Sequence, residues 1–423
     1  MKKLKVIVVG AGGRGSTYTR YMNQLSDQFE VVAVAEPIES RRNYIKTLCN
    51  LPDEACFTDY KPLFALGKIA DVAVIATMDR DHFEPAMMAI GLKYDLLLEK
   101  PIAPTPEECC RLTAAAKQNG VRVIICTVLR YTALFNQLKS IIDSGRIGRV
   151  MSINHEEGVG NEHQSHSFVR GNWGNEGRSS FMLLQKSCHD LDILQWLIGK
   201  KCKKVQSFGT LSYFTAENAP EGATERCMDG CPHAETCVYN AEKLYLAENA
   251  TNWFRTACTK LHDPTDEDVR KALAETQYGK CVFKCDNDVV DHQTVNMLFE
   301  DDITVTFTMN AFNKGGRYIH IMGTKGEVRA QLSGDVPIRV YEFESHTETE
   351  IDSRGTDGIL GGHGGGDGGI VQALYLYLTG EYKGNSVPDI EESCYNHMLT
   401  FAAEEARLTD SVVDIDEYIG RFV

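Results

Sequence analysis

The chain has 423 residues, of which 43% are hydrophobic and 24% are charged, a composition typical of a folded globular protein with more than one domain. Its net charge of −15 argues against nucleic acid or an anionic membrane as the main partner. No apolar run reaches the length of a transmembrane helix, and fourteen cysteines in so long a chain favour reduced thiols over a disulfide framework. The sequence therefore predicts a cytoplasmic protein.

The first strand and the turn after it predict a dinucleotide site. Residues 5–9 form an apolar run that leads directly into a G-x-G-x-x-G motif and then into a helix-compatible segment. In that context Gly10 allows a tight turn, Gly12 lets the backbone approach a pyrophosphate, and Gly15 lets the helix pack on the strand. The pyrophosphate is expected at the N-terminus of the helix, where N–H groups favour an anion.

A second strand, residues 30–35, ends in Glu36, about twenty residues after the last glycine of the motif. An acid at this position accepts the ribose hydroxyls of NAD and repels a 2′-phosphate. NAD is therefore the predicted cofactor, although Arg41 and Arg42 lie close enough to leave NADP open.

The alternation of strand and helix continues through three more apolar runs, at residues 70–76, 96–98 and 121–126. This pattern predicts a doubly wound parallel sheet, whose ligands gather at the carboxyl ends of the strands. Lys100 stands at such an end; a surface lysine paired with Glu99 is the alternative. The predicted cofactor contacts are Gly10, Gly12, Gly13, Arg14, Gly15, Glu36, Thr77, His82, Glu99 and Lys100.

Residues 180–199 predict one uninterrupted helix that ends at Gly199. At helical spacing His189 lies one turn beyond Gln185 and Lys186, on the same face. An imidazole gains and loses a proton near neutral pH, so His189 is a candidate acid/base, with Lys186 beside it. A surface-facing histidine and lysine at the start of a helix are the alternative.

Together the segments GAGGRG, AEP, ATMDRDH, EKP and HDLDILQWL resemble the glucose–fructose oxidoreductase, inositol dehydrogenase and rhizopine catabolism (Gfo/Idh/MocA) family over nearly the whole chain. The resemblance implies a Rossmann domain over residues 1–128. It also implies an α+β domain over residues 129–423, with a large, mostly antiparallel, open sheet through which dimers or tetramers form. Family members commonly oxidise a secondary alcohol of a sugar or cyclitol with NAD or NADP. The resemblance assigns substrate and cofactor contact to Lys100 and acid/base chemistry to His189.

One position departs from the family pattern. Inositol dehydrogenase-like members carry an aspartate four residues before the histidine, and this chain has Gln185 there. A glutamine cannot hold a proton or stabilise an imidazolium by charge, so either His189 works without a carboxylate or another acid, such as Asp190, replaces it. The departure affects the expected substrate class more than the fold.

In the second domain, period-2 alternation over residues 303–312 predicts a strand of an antiparallel sheet. A long loop before the His189 helix carries histidine, arginine and tryptophan, side chains that suit sugar hydroxyls and a sugar ring. A mobile polar loop is the alternative. The candidate substrate contacts are Arg130, His166, Arg170, Trp173, Gln185, His292, His363 and Asp367.

Residues 215–284 form a cysteine-rich insertion in this domain. Cys227, Cys231 and Cys237 lie within eleven residues, which leaves two possibilities open: the beginning of a structural zinc site, or reduced thiols. A catalytic metal is not expected, since hydride transfer with a lysine and a histidine needs none.

A glycine-rich stretch, residues 355–369, contains His363 and Asp367. Its His-Gly-Gly-x-Asp pattern resembles one in NAD-dependent glycoside hydrolases of the same superfamily, which oxidise a sugar hydroxyl transiently, eliminate the aglycone and return the hydride. Such a hydrolase is the second functional hypothesis. A third is a non-catalytic NAD or redox sensor that uses the cysteine cluster, because a fold alone does not establish catalysis.

Overall fold

The computed structural model of the protein describes residues 2–332, 336–353 and 362–422, with only the backbone described at residues 362 and 363. The predicted α/β fold is confirmed, since the strands form one parallel sheet followed by one mostly antiparallel sheet. The first sheet comprises β1 (Leu4–Val9), β2 (Phe29–Ala35), β3 (Cys56–Phe57), β4 (Val72–Ile75), β5 (Asp95–Leu98) and β6 (Val123–Ile125).

The strands of this sheet are all parallel, in the order β3-β2-β1-β4-β5-β6. The central strands are almost continuous runs of buried apolar residues, as expected for a sheet covered by helices on both faces. Its helices and the one that follows are α1 (Gly13–Gln24), α2 (Glu39–Cys49), α3 (Tyr60–Phe64), α4 (Phe83–Gly91), α5 (Pro106–Asn119) and α6 (Ala133–Asp143).

The second sheet has nine strands and lies downstream of α6. They are β7 (Val150–Gly158), β8 (Cys202–Thr210), β9 (His292–Phe299), β10 (Thr304–Asn310), β11 (Gly316–Gly323), β12 (Gly326–Leu332), β13 (Ile338–Glu342), β14 (Thr347–Ile351) and β15 (Val412–Asp414). Their order is β14-β13-β12-β11-β7-β10-β9-β8-β15, and β10 with β7 is the parallel pair. The predicted alternation holds in β10, where Val305, Phe307 and Met309 are buried and the threonines between them are partly or fully exposed.

The remaining α-helices are α7 (Asn161–His163), α8 (Met182–Gln185), α9 (Cys188–Ile198), α10 (Ala241–Leu246), α11 (Asn252–Thr259), α12 (Asp266–Glu275), α13 (Gly366–Thr379), α14 (Ile390–Thr409) and α15 (Ile415–Ile419), and a π-helix, Gln164–Arg170, follows α7. α9 and α14 pack together beneath the nine-stranded sheet and share its hydrophobic core. α13 instead returns to the N-terminal sheet, where Ile370, Leu374 and Tyr375 pack with β1 and α1.

The prediction of one helix over residues 180–199 is wrong in one respect. The segment forms two helices, α8 and α9, separated by a turn at Lys186 and Ser187. The carbonyl of Gln185 accepts a hydrogen bond from Lys100 Nζ, and the carbonyl of Ser187 accepts the N–H groups of two following residues, so a new helix starts at Cys188. It ends as predicted at Gly199, which has a positive φ of 66°.

The cysteine-rich insertion lies between β8 and β9 and contains α10, α11 and α12. These helices enclose a small core of their own, which includes Tyr245, Phe254 and Leu273. No helix in the described part of the chain has the length and apolar character that crossing a bilayer requires.

Candidate functional site

The glycine turn after β1 has the geometry of a dinucleotide site. Gly10 has a φ of +87°, and a Cβ added there would lie 2.5 Å from the carbonyl oxygen of Ala76. A Cβ at Gly15 would lie 2.0 Å from the carbonyl oxygen of Gly10. Among the described residues, no side chain caps the N-terminus of α1 and no acid stands in its first turn, so its N–H groups face outward for an anion. The turn therefore fits the pyrophosphate of NAD.

Glu36, directly after β2, contacts this glycine turn. Its buried carboxylate accepts the N–H of Ala11 at 2.7 Å and that of Ile38 at 2.9 Å. Each carboxylate oxygen keeps a second acceptor site for a ribose hydroxyl. Arg42 donates to the carbonyl of Glu36, while the guanidinium of Arg41 lies 3.6 Å from the Cβ position of Gly12.

Arg14 and Glu99 form an ion pair beneath the turn. Arg14 Nε donates to Glu99 Oε1 at 2.9 Å, and the hydroxyl of Tyr18 donates to the same oxygen at 2.5 Å. Burial alone would raise the pKa of Glu99, but Arg14 and Lys100 hold it below its ordinary value. Asp367, predicted from the sequence to contact substrate, accepts two hydrogen bonds from Arg14. The side chain of His363 lies outside the described residues.

Lys100 is the second residue after β5, next to Glu99. Its side chain reaches a residue that follows β7 in the chain. Its ammonium donates to the carbonyl of Gln185 at 2.5 Å, in the turn that precedes the His189 helix. The peptide bond from Lys100 to Pro101 is cis. His82 lies behind it, with Nδ1 2.6 Å from the carbonyl of Pro101 and Nε2 3.2 Å from the carbonyl of Thr77. The ends of β4, β5 and α8 therefore meet at Lys100.

A second set of contacts joins the two halves of the chain beside Lys100. The side-chain amide of Gln185 donates to the carbonyl of Trp173 at 2.8 Å, and the indole of Trp173 donates to Asp79 Oδ1 at 3.2 Å. The Ser179 hydroxyl lies 2.7 Å from Asp79 Oδ2 and 2.9 Å from Gln185 Oε1, and it donates to one of them at a time. Trp173 and Gln185, both predicted substrate contacts, are thus brought to the site.

Charged groups of the nine-stranded sheet contact the segment around the turn at Lys186 and Ser187, between α8 and α9. Lys186 Nζ lies 2.9 Å from Glu157 Oε1, and Arg317 Nε lies 2.7 Å from Glu157 Oε2. Arg317 also donates to Asp190, which accepts a hydrogen bond from His155 Nε2 at 2.8 Å. Burial would raise the pKa of Asp190, but Arg317 and His155 hold it well below its ordinary value. Asp190 is therefore a carboxylate, and His155 Nε2 carries the donated hydrogen.

Glu157 and Arg317 were not among the residues predicted from the sequence. They face each other because β7 pairs with β11 in a register that sets Arg317 opposite Glu157. The cluster of acids at the end of β7 was a sequence signal for Glu157. Nothing local marks Arg317, which lies far along the chain.

Four of the residues predicted to contact substrate have side chains that bond to or pack against other residues of the protein. Arg130 is fully buried and bonds Asp192 through Nε and Nη2 at 2.7 and 2.8 Å. His166 is packed between the rings of Phe254 and Tyr278, and burial, together with Arg170, lowers its pKa to about 3. Arg170 donates to the carbonyls of Lys280 and Tyr239 in the insertion. His292, at the start of β9, bonds its neighbour Asp291.

The cysteines of the insertion surround a small cavity. All fourteen cysteines lie in the described part of the chain, and none forms a disulfide there. A cavity of about 20 Å³ is lined by Cys227, Cys231, Cys237 and Cys281, together with Arg170. Within the described ranges no three His, Cys, Asp or Glu side chains converge, as they stand, to hold a metal ion.

Comparison with known proteins matches both halves of the chain to one family. Residues 4–127 match the oxidoreductase family, NAD-binding Rossmann fold, and residues 139–415 match the C-terminal alpha/beta domain of the same Gfo/Idh/MocA family.

Among curated proteins, the chain is 23% identical over 320 residues to the putative oxidoreductase YteT of Bacillus subtilis, covering 72% of each chain. It is 29% identical over 207 residues to inositol 2-dehydrogenase of Salmonella typhimurium, a match that covers 48% of this chain and 57% of that one. Among solved structures, scyllo-inositol dehydrogenase of Lactobacillus casei, with bound NAD(H) and scyllo-inositol, superposes with a TM-score of 0.66 at 16% identity. That match covers 98% of this chain and 100% of the other, and it shows the shared fold alone.

Proposed function

We propose, from the premise that this chain belongs to the Gfo/Idh/MocA family of NAD-binding oxidoreductases, that it transfers hydride between a secondary alcohol of a sugar or cyclitol and NAD. The observation that carries the proposal is the reach of Lys100 from the end of β5 to the carbonyl of Gln185. This contact joins the end of β5, where Glu99 pairs with Arg14 of the glycine turn, to the turn that precedes the His189 helix. The inositol dehydrogenases among the relatives support the substrate class.

Bound NAD would supply the hydride acceptor, and the residues of the chain supply the rest. Lys100 has three donors, of which the Gln185 carbonyl takes one, so two remain to hold the alcohol oxygen of the substrate. His189 accepts the hydroxyl proton as the hydride leaves the same carbon. Trp173 flanks the sugar with an indole face for its ring, and Gln185 holds Trp173 in place by donating to its carbonyl.

Gln185 takes part in this scheme as a neutral positioning residue. Its amide donates to the Trp173 carbonyl, a contact that a carboxylate cannot make, and its oxygen lies within reach of the Ser179 hydroxyl. Lys186, which pairs with Glu157, precedes His189 by three residues. We propose that it keeps His189 in its neutral, proton-accepting form by charge repulsion.

NAD is the proposed cofactor in preference to NADP. The Glu36 carboxylate, fixed by two backbone N–H groups at the end of β2, would repel a 2′-phosphate. Arg41 and Arg42 are the cations that could offset this repulsion, and Arg42 already donates to carbonyls. Titration with both cofactors, read by tryptophan fluorescence, tests the choice.

We also propose a homodimer or homotetramer formed through the outer face of the nine-stranded sheet, and a cytoplasmic location. A groove of about 810 Å³ crosses that face, lined by polar side chains that include Asn154, Glu156, Thr306 and His320. Light scattering of the purified protein tests the assembly. The location is supported by the fourteen unpaired thiols, which suit a reducing compartment.

The test of the activity is the 340 nm absorbance of the NAD-loaded protein as sugars, cyclitols and glycosides are added. A lasting rise means net oxidation and supports the proposal. A rise that saturates at the enzyme concentration while a glycoside is cleaved means that the hydride returns, as in the glycoside hydrolase hypothesis. No change with any of them, in protein shown to hold NAD, favours the sensor.

The variants Lys100→Met and His189→Gln assign the roles. Both should lose turnover by about 100-fold or more while binding NAD with near-normal affinity, because neither side chain is needed to hold the pyrophosphate. Lys117→Met is the matched control, since Lys117 is exposed and pairs with Glu391 on the surface. Turnover of the Lys100→Met enzyme equal to that of the control would refute the role of Lys100.

A further inference from the structure

The backbone of the insertion brings its first and last cysteines together. Arg226 and Lys280 form an isolated antiparallel bridge. Next to that bridge the N–H of Cys227 donates to the carbonyl of Gly279 at 3.0 Å, and the N–H of Cys281 donates to the carbonyl of Glu225 at 2.9 Å. Two cysteines from opposite ends of the insertion are therefore held as neighbours.

The other two cysteines join them through tight turns. The carbonyl of Cys231 accepts the N–H of Ala234, and the N–H of Cys237 donates to the carbonyl of His233. As a result the sulfur-bearing side chains of Cys227, Cys231, Cys237 and Cys281 share the walls of one cavity. Its volume of about 20 Å³ is enough for one water-sized occupant and too small for a cluster of several metal atoms.

The same cavity contains a buried cation. Arg170 is 1% exposed and lines the cavity, and its Nη2 donates to Cys227 Sγ at 3.6 Å. Its Nε and Nη2 also reach two carbonyls, while Nη1 is buried and has no hydrogen-bond partner among the described residues. A buried guanidinium is costly without an anion nearby, and the described residues that line this cavity include no carboxylate.

We propose that Cys227, Cys231, Cys237 and Cys281 are the ligands of one structural zinc ion. Four thiolates around Zn²⁺ form a closed tetrahedral site with a net charge of −2, which supplies the anion that Arg170 lacks. The spacing Cys-x3-Cys falls in the range usual for such sites. As thiols the four side chains line the wall without converging; binding the ion removes their protons and draws the sulfurs inward to about 2.3 Å from the metal.

Two other cysteines of this region are not ligands. Cys285 Sγ bonds to the carbonyl of Cys281, and Cys258 is buried in the core of the insertion helices. These two thiols are the matched controls, because Cys258 lies in the insertion, Cys285 lies directly after it, and both carry the same chemistry.

The experiment is metal analysis of the full-length protein purified from cells supplied with both zinc and iron. The wild type and the variants Cys258→Ser and Cys285→Ser should carry about one zinc per chain, and Cys231→Ser, Cys237→Ser and Cys281→Ser should carry about a tenth of that or less. Cobalt exchanged into the wild type should give the intense sulfur-to-cobalt charge-transfer absorption and visible bands of a tetrahedral tetrathiolate site.

Three outcomes would overturn the proposal. Wild-type protein without zinc would exclude the site, and equal zinc in Cys237→Ser and Cys285→Ser would move it elsewhere. Iron with acid-labile sulfide at the same cysteines would replace zinc by an iron–sulfur cluster. Cobalt spectra of the wild type keep the test decisive if a ligand variant fails to fold. None of these readouts depends on hydride transfer, so failure of the proposed activity leaves them unaffected.

Discussion

Arg130 was predicted to contact substrate, but its buried ion pair with Asp192 indicates a structural role in the core, and the two roles can be told apart by experiment. The perturbation is Asp192→Asn, which keeps the shape of the side chain and removes its charge. Arg130 is 0% exposed, and both of its short contacts to Asp192 are charge-assisted hydrogen bonds. Removing one partner of a buried ion pair costs about 3–5 kcal/mol, because the other charge is left uncompensated in the interior.

The lower end of this range applies here. Glu392 Oε1 lies 2.8 Å from Arg130 Nη2 and stays in the variant, but Glu392 is 42% exposed and its charge is partly screened by water. A cost of about 3 kcal/mol corresponds to a fall in Tm of roughly 5 °C for a domain of about 300 residues, at about 2.1 cal/mol/K of unfolding entropy per residue. The core also contains Asn396, whose amide donates to Asp192 Oδ1 and keeps the pair oriented.

The assay is thermal unfolding followed by circular dichroism, with steady-state kinetics measured well below the transition. Glu350→Gln is the control, since it breaks the exposed Arg339–Glu350 pair and should leave Tm almost unchanged. The Asp192→Asn variant should lose stability with little change in KM for NAD or for the alcohol. An unchanged Tm together with a KM for the alcohol raised tenfold or more would refute this reasoning and return Arg130 to the substrate site.

Three further predictions concern single residues. Gly10→Ala should abolish NAD binding in calorimetry, because its Cβ would lie 2.5 Å from a carbonyl oxygen, whereas Gly13→Ala, which meets nothing within 4 Å, should retain it. Burial lowers the pKa of His397 to about 4, so the unfolded chain binds the proton first as pH falls below about 6.5, and about 3 kcal/mol of stability is lost by pH 4. In urea unfolding across this range, His397→Gln should show a smaller loss, and an equal loss in both proteins would refute the assignment. Gln185→Glu should lower kcat about tenfold or more instead of restoring a family-like acid, because a carboxylate cannot donate to the Trp173 carbonyl; unchanged kcat would count against that contact.

The features predicted correctly from the sequence are those set by short stretches of chain. The apolar run before Gly10 and the glycines after it specify a strand and a tight turn through local sterics. The alternation in β10 likewise places Val305 and Phe307 inside without reference to any other segment. Lys100 could be placed just beyond the carboxyl end of a strand because the short apolar run before it, now β5, ends at Leu98.

The features that the sequence did not predict depend on contacts between distant segments. The break between α8 and α9 occurs where Lys100, from the other half of the chain, bonds the Gln185 carbonyl, and no helix propensity predicts that contact. Arg317 reaches Glu157 because of strand pairing, and Asp367 reaches Arg14 because α13 returns to the first sheet. The side chains of His166 and Arg170 are of types that suit sugar hydroxyls, but residues of the insertion pack against them and bond to them.

The replacement of the family aspartate by Gln185 follows from the groups around it. Its side chain lies between the carbonyl of Trp173, which needs a donor, and the hydroxyl of Ser179, which also lies within reach of the Asp79 carboxylate. A second carboxylate at this position would oppose a carbonyl and share one hydroxyl with Asp79, so one of the two acids would be held protonated. An amide satisfies both contacts without charge. The charged groups next to Gln185 are instead Lys186, the following residue, and Glu157 on β7, which form an ion pair at 2.9 Å.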